Sequence, residues 1–121
     1  MVNKRFRLKK SSDFQRVRRF GKAIAHPFVV LLYLPNDLEQ VRVGVAAGRS
    51  IGKAVQRNRA KRVIRAAIQP HLSRIKSGND FVLIARESIM STNAAQLSQI
   101  LYDLLQKARL ISDENEHPSR E

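Results

Sequence analysis

The sequence predicts an α+β fold: a single-domain α/β sandwich in which a mixed sheet of about four strands carries helices packed on it, in the order α-β-β(-β)-α-β-α. Two kinds of local pattern predict it. Three segments carry helix caps or apolar residues at helical spacing, and three others are short runs of β-forming residues interleaved with them. The length of 121 residues, with 43% hydrophobic residues, supports one modest core.

Residues 1–10 form a basic arm, apolar only at Phe6 and Leu8 after the initial Met-Val. Ser12 and Gln15 then match a capping box and Gly21 stands where a helix would stop, which predicts a short helix over 12–20. Phe14 and Val17 share one face of it, and Arg16, Arg18 and Arg19 crowd the remainder. The run FVVLLYL (28–34) is rich in β-formers and ends at a Pro35-Asn36-Asp37 turn signal. The run VRVGVAA (41–47) alternates, with Val41, Val43, Val45 and Ala47 on one face and Arg42, Gly44 and Ala46 on the other. These two runs read as an antiparallel hairpin.

A long helix is predicted over 53–69, ended by Pro70, with a short further turn over 71–75. FVLIA (81–85) is another strand, and Asp80 and Glu87 read as its solvated ends. A last helix over 93–109 opens on a capping box of Asn93 and Gln96 and carries an apolar stripe from Leu97 to Ala108. One domain over 1–110 is expected, followed by an acidic, disordered tail over 111–121.

Charge narrows the function. There are 23 Lys and Arg against 10 Asp and Glu, a net of +13. Residues 1–76 hold 19 of the basic residues and three acids, and between Gln40 and Asp80 there are ten basic residues and no acid. Charge needed only for solubility would be mixed in sign. Such concentration calls for a polyanionic partner, and nucleic acid is the default, ahead of a membrane surface. The absence of cysteine excludes disulfides, thiolate metal sites and cysteine nucleophiles, and fits a reducing compartment. With no apolar leader-like segment in MVNKRFRLKK and no run long enough to span a bilayer, a cytoplasmic location without membrane attachment is expected.

The long helix carries the sharpest pattern. At 100° per residue, Ala60, Val63, Ile64, Ala67 and Ile68 occupy an arc of about 140°. Asn58, Arg59, Lys61, Arg62 and Arg65 fill the opposite side, with Arg57 on the seam. Like charges at i,i+4 cost a few tenths of a kcal/mol each, and here Arg57/Lys61 and Lys61/Arg65 stack with no acid to relieve them. Guanidinium predominates, which suits bidentate recognition of phosphate and base edges. The preceding GRSIGK (48–53) makes a plausible phosphate-binding turn without Walker spacing.

VGVAAGRSIGKAVQRNRAKRVIR (43–65) resembles the signature of the bacterial ribonuclease P protein subunit, whose core is an Arg-Asn-Arg box followed by Lys-Arg-x-x-Arg. The likeness extends to RLKK (7–10), DFQ (13–15), FVVLLY (28–33) and DFVLIAR (80–86), and covers roughly residues 4–109. The resemblance implies a ribonucleoprotein that removes the 5′ leader from precursor tRNA, with chemistry carried by a catalytic RNA that requires Mg²⁺. It further implies a left-handed β-α-β crossover, against the usual hand. On this basis Arg57, Asn58, Arg59, Lys61, Arg62 and Arg65 are the expected contacts to a single copy of the catalytic RNA. Phe14, Arg18, Leu31, Tyr33, Arg49, Ser50 and Lys53 are the expected lining of a cleft for the leader of precursor tRNA.

Taken alone, Phe14 is a core residue by burial statistics; the resemblance places it in the cleft. Where the family carries a second aromatic, this chain has Arg18, which leaves Phe20 or Tyr33 as substitutes. No catalytic residue, metal ligand or protein-bound cofactor is expected: acids are scarce in the basic region, and His26, His71 and His117 lack ligand spacing. Composition alone also allows a small structural RNA-binding protein of the ribosome. A sequence-specific DNA binder is disfavoured by the absence of helix-turn-helix spacing.

Overall fold

The computed structural model describes residues 6–111. Helix α1 (Ser11–Phe20) leads into strands β1 (Lys22–Ala25), β2 (Val29–Pro35) and β3 (Val41–Ala46). Helix α2 (Ala54–Ile68), strand β4 (Asn79–Ala85) and helix α3 (Ala94–Lys107) follow. The sheet order is β1-β2-β4-β3, with β3 and β4 parallel and the other neighbours antiparallel.

The expected hairpin of the 28–34 and 41–47 runs does not form, because β4 lies between them. FVLIA is apolar at every position, and a strand buried on both faces reads this way. Phe81, Val82, Leu83 and Ala85 are all buried, as befits a strand in the interior of the sheet. The parallel β3–β4 pair then needs a long crossover, and α2 supplies it. β1 is a strand that periodicity does not reveal: its four residues KAIA are mostly exposed, as an edge strand beginning with lysine can be.

Two unequal cores lie on the two faces. Val29, Leu31, Val41, Val43, Phe81 and Leu83 face α2 and α3, where they meet Ala60, Ile64, Ala67, Ile68, Leu97, Leu101 and Leu105. The buried arc of α2 is therefore the apolar arc of the sequence, with Val63 partly buried at its margin. On the other face, Val17 of α1 and Leu8 pack with Leu32 and Val82, and Phe14, Val30, Leu34 and Ile84 border them.

The ends of the helices differ from expectation in instructive ways. α1 begins at Ser11 and is preceded by Lys10, whose carbonyl accepts from the Asp13 and Phe14 amides; no Ser12 cap is made. Gly21 ends α1 with extended backbone, and glycine is needed there by close approach, since a Cβ would stand 2.5 Å from the Val17 carbonyl oxygen and 2.7 Å from that of Tyr33. The Asn93 side chain caps α3 by accepting from the Gln96 amide at 2.9 Å, but the Gln96 side chain turns to Thr92 instead of closing the box.

Residues near both ends of the described chain pack onto the fold. In the basic arm, Leu8 is buried and its amide donates to the Val43 carbonyl at 2.9 Å, so this part is docked along β3. Ile111, expected in the tail, is buried and bridges to Ile75. Residues 1–5 of the arm and 112–121 of the tail lie outside the described residues.

Replacing Gly21 with Ala is expected to cost about 2 kcal/mol, since both clashing atoms are backbone oxygens and the α1–β1 corner must shift. Urea denaturation measures this, and an unchanged midpoint would show that the corner is free to relax.

Candidate nucleic-acid interface

The cationic face of α2 points away from the core. Asn58, Arg59 and Arg62 are exposed, Arg57, Lys61 and Arg65 are half-buried, and Ala60, Ile64, Ala67 and Ile68 are buried. Among the described residues, the ion pairs within 4.0 Å join Arg16 and Arg42 to Asp13 and Asp80, and none involves an α2 cation. Among the described residues the face is thus a set of guanidinium and ammonium groups with no acidic partner, and Val55, 76% exposed, adds an apolar spot at its start. Arg57 also serves the fold, since its guanidinium donates to the Gly52 carbonyl at 2.7 Å and fastens the turn before the helix.

That turn places the remaining loop cations. Arg49 to Ile51 form a short 3₁₀ turn after β3, with Arg49, Ser50 and Lys53 exposed. The Gln56 side chain accepts from the Lys53 amide at 2.6 Å and closes the first turn of α2.

The seven residues expected in one cleft are divided by the sheet. Phe14 is half-buried on the α1 face and Arg18 is exposed on the same helix. Leu31 is 1% exposed, and it and Tyr33 face the other way into the large core, Tyr33 with its ring 6.4 Å from that of Phe81. Leu31 and Tyr33 do share a face by alternation, but it is the face covered by α2 and α3. The strand residues that face α1 are Val30, Leu32 and Leu34. Phe20 lies at the end of α1, 66% exposed, with the Arg19 guanidinium 5.6 Å from its ring centroid; it is the exposed aromatic of this helix.

Asp80 is the residue whose place is hardest to foresee. The sequence puts it at a solvated strand end; the structure buries it completely. Arg42 donates to both its oxygens at 2.8 Å, Arg16 donates at 2.6 Å and Asn36 at 2.9 Å. Arg42 and Asp80 are direct cross-strand partners of β3 and β4, and both point toward α1. The signal is an inward-facing Arg42 in an apolar strand, which needs an acid; which acid depends on strand pairing. Asp13 adds weaker attraction at 3.7 Å from Arg42 and 3.9 Å from Arg16.

Burial opposes the charge on Asp80, but hydrogen bonds from Arg42 and Asn36 and the Arg42 and Arg16 charges prevail, holding its carboxyl below the ordinary aspartate range. Arg42 is raised in turn, chiefly by its hydrogen bond to Asp80. Among the described residues, no three His, Asp or Glu converge as metal ligands. Asp13 and Asp80 face arginines and do not fit a Mg²⁺ ion.

A three-layer α+β domain in which one helix face carries arginines with no acidic partner among the described residues has the features of a nucleic-acid-binding protein. A family model described as Ribonuclease P matches residues 2–109. The ribonuclease P protein component of Caldanaerobacter subterraneus subsp. tengcongensis is 35% identical over 113 residues, covering 93% of this chain and 97% of the relative. That of Herpetosiphon aurantiacus is 38% identical, covering 95% and 93%. The solved Staphylococcus aureus RNase P protein superposes with a TM-score of 0.77 at 30% identity, covering 88% of this chain and 98% of that one. The Thermotoga maritima RNase P protein gives 0.73 at 28% identity, covering 84% and 96%. The chain belongs to the ribonuclease P protein family and is a protein component of the RNA-based endoribonuclease that matures the 5′ ends of tRNA. Its partner is the RNase P RNA. The ribosomal and DNA-binding alternatives fall with this assignment.

Asp80 has a lower pKa folded than its unfolded value of about 3.9, so its contribution is complete above about pH 4 and lost as pH falls through the lower folded value. Asp80→Asn is expected to lower the unfolding free energy at pH 7 by about 3 kcal/mol, leaving Arg16 and Arg42 with only the longer contacts to Asp13. Its stability should also decline less steeply below pH 4. Urea titrations from pH 7 to pH 2 check both, and an unaltered acid limb would assign it to other carboxyls.

Proposed function

We propose that the two layers of this domain serve two RNAs. The outward face of α2, with Arg57, Asn58, Arg59, Lys61, Arg62 and Arg65, binds the catalytic RNA as a 1:1 complex. The α1 side, with Phe14 and Arg18, and the neighbouring turn with Arg49, Ser50 and Lys53 hold the single-stranded 5′ leader of precursor tRNA. The observation that carries this reading is the α2 face itself: its cations lack acidic partners among the described residues, while the arginines beneath α1 are paired.

The mechanism is electrostatic and positional. Two RNAs repel when brought together, and cations fixed on a rigid helix lower that repulsion without being ordered on binding. Aromatic contact with unpaired bases is tolerant of sequence, as a leader site must be. Leu31 and Tyr33 are left out of the leader surface because they face the large core. The Mg²⁺ chemistry is assigned to the RNA, and the site of action to the cytoplasm, where precursor tRNA is made. In keeping with that location, no helix among the described residues is long and apolar enough to cross a membrane.

Arg59→Ala combined with Arg62→Ala is expected to weaken binding to the catalytic RNA at least tenfold, with the plot of log affinity against log salt shallower by about 2. Thermal stability should not change, because both side chains are exposed. Filter binding across a salt series reads this, and unchanged affinity would remove the α2 face from the interface. Arg57→Ala should lower stability as well as affinity, because its guanidinium also holds the Gly52 carbonyl.

A further inference from the structure

Helix α1 crosses the sheet rather than running along it. Its first turn meets β3, where the tip of the Phe14 ring rests on Gly44. Its middle reaches β4 through Arg16 on Asp80, and Val17 is buried beside Leu32 of β2 and Val82 of β4. Its last residues turn at Gly21 against the Tyr33 carbonyl of β2.

Two of these supports are specific in kind. A Cβ on Gly44 would stand 2.3 to 2.5 Å from Cζ, Cε1 and Cε2 of Phe14, so the ring occupies the space that any side chain at this position would need. Asp80 is wholly buried, and through Arg16, Arg42 and Asn36 it ties α1, β3 and the β2–β3 turn to the interior strand β4. We propose that Gly44 and Asp80 are positioning residues for the single-stranded leader: Gly44 seats the Phe14 ring, and Asp80 fixes the height and angle of α1 above the sheet. The proposal rests on the reading that the leader lies against α1. Neither residue need touch RNA; each acts through Phe14, Gly44 by direct contact and Asp80 through Arg16, two residues further along the same helix.

Simple electrostatics predicts the opposite behaviour. Neutralising Asp80 raises the net positive charge and leaves Arg16 and Arg42 with only Asp13 as counter-charge, which on charge alone would tighten every RNA. Positioning predicts instead a loss confined to substrates that carry a leader. The test uses protein reconstituted with catalytic RNA and compares affinity for precursor and mature tRNA across Phe14→Ala, Gly44→Ala, Asp80→Asn and the Gly44→Ala/Phe14→Ala double variant. Gly44→Ala guards against an Asp80→Asn that fails to fold, because its clash is with the movable end of one side chain. Gly44→Ala and Asp80→Asn are each expected to reduce the preference for precursor over mature tRNA about tenfold, with affinity for the catalytic RNA unchanged. The double variant should lose no more than Phe14→Ala alone, since the ring that Gly44 seats is already gone. A normal preference in Gly44→Ala, or losses that add in the double variant, would overturn the positioning role while a defective Phe14→Ala upholds the leader reading. A normal preference in Phe14→Ala would overturn the leader reading and the proposal with it.

Discussion

One buried carboxylate organises the α1 side of this molecule. Asp80 is the second residue of the interior strand β4 and receives hydrogen bonds from Arg42 on β3, Arg16 on α1 and Asn36 in the β2–β3 turn. The hydrophobic contacts on this face are few, with Leu8, Val17, Leu32 and Val82 at their centre. A short helix over so small an apolar patch has little to fix its angle, because hydrophobic contact is non-directional. Charged hydrogen bonds supply direction. A buried ion cluster adds little net stability relative to apolar residues of the same shape, so its value here lies in holding one arrangement.

The other face works by the opposite rule. α2 and α3 bury a broad apolar surface against the sheet, and that burial leaves the outward side of α2 free to be selected for something other than stability. Its like-charged neighbours destabilise the isolated helix. The large core offsets this, and the result is a row of cations fixed on a rigid element. Among the described residues the charge is thus partitioned: Arg16 and Arg42 under α1 meet carboxylates within the protein, and the α2 cations, which meet none, are on the proposed reading the ones that bind RNA.

Much of this was legible locally. The split of α2 into apolar and cationic arcs follows from spacing alone, and the structure reproduces it residue by residue from Ala60 to Ile68. The apolar run FVLIA marked β4 as a strand, although its burial on both faces and its place between β2 and β3 required knowing that α2 is a crossover. What spacing could not supply was pairing. Alternation put Arg42 on the face with Gly44 and Ala46, but only the β3–β4 register brings it opposite Asp80. Leu31 and Tyr33 were correctly placed on one face, yet alternation does not say which helix covers that face. β1 was invisible because an exposed edge strand of four residues has no burial pattern to betray it.

On the proposed reading, α1 and α2 stand on opposite sides of one sheet and address different RNAs. Because the chain contains no cysteine, a single introduced thiol can carry a hydroxyl-radical source without background. With the source at Arg59→Cys on α2 or at Gln15→Cys on α1, cleavage is mapped in the complex of protein, catalytic RNA and precursor tRNA. Cuts are expected in the catalytic RNA from α2 and in the 5′ leader from α1. Cuts in the same strand from both positions would contradict the division of labour between the two faces.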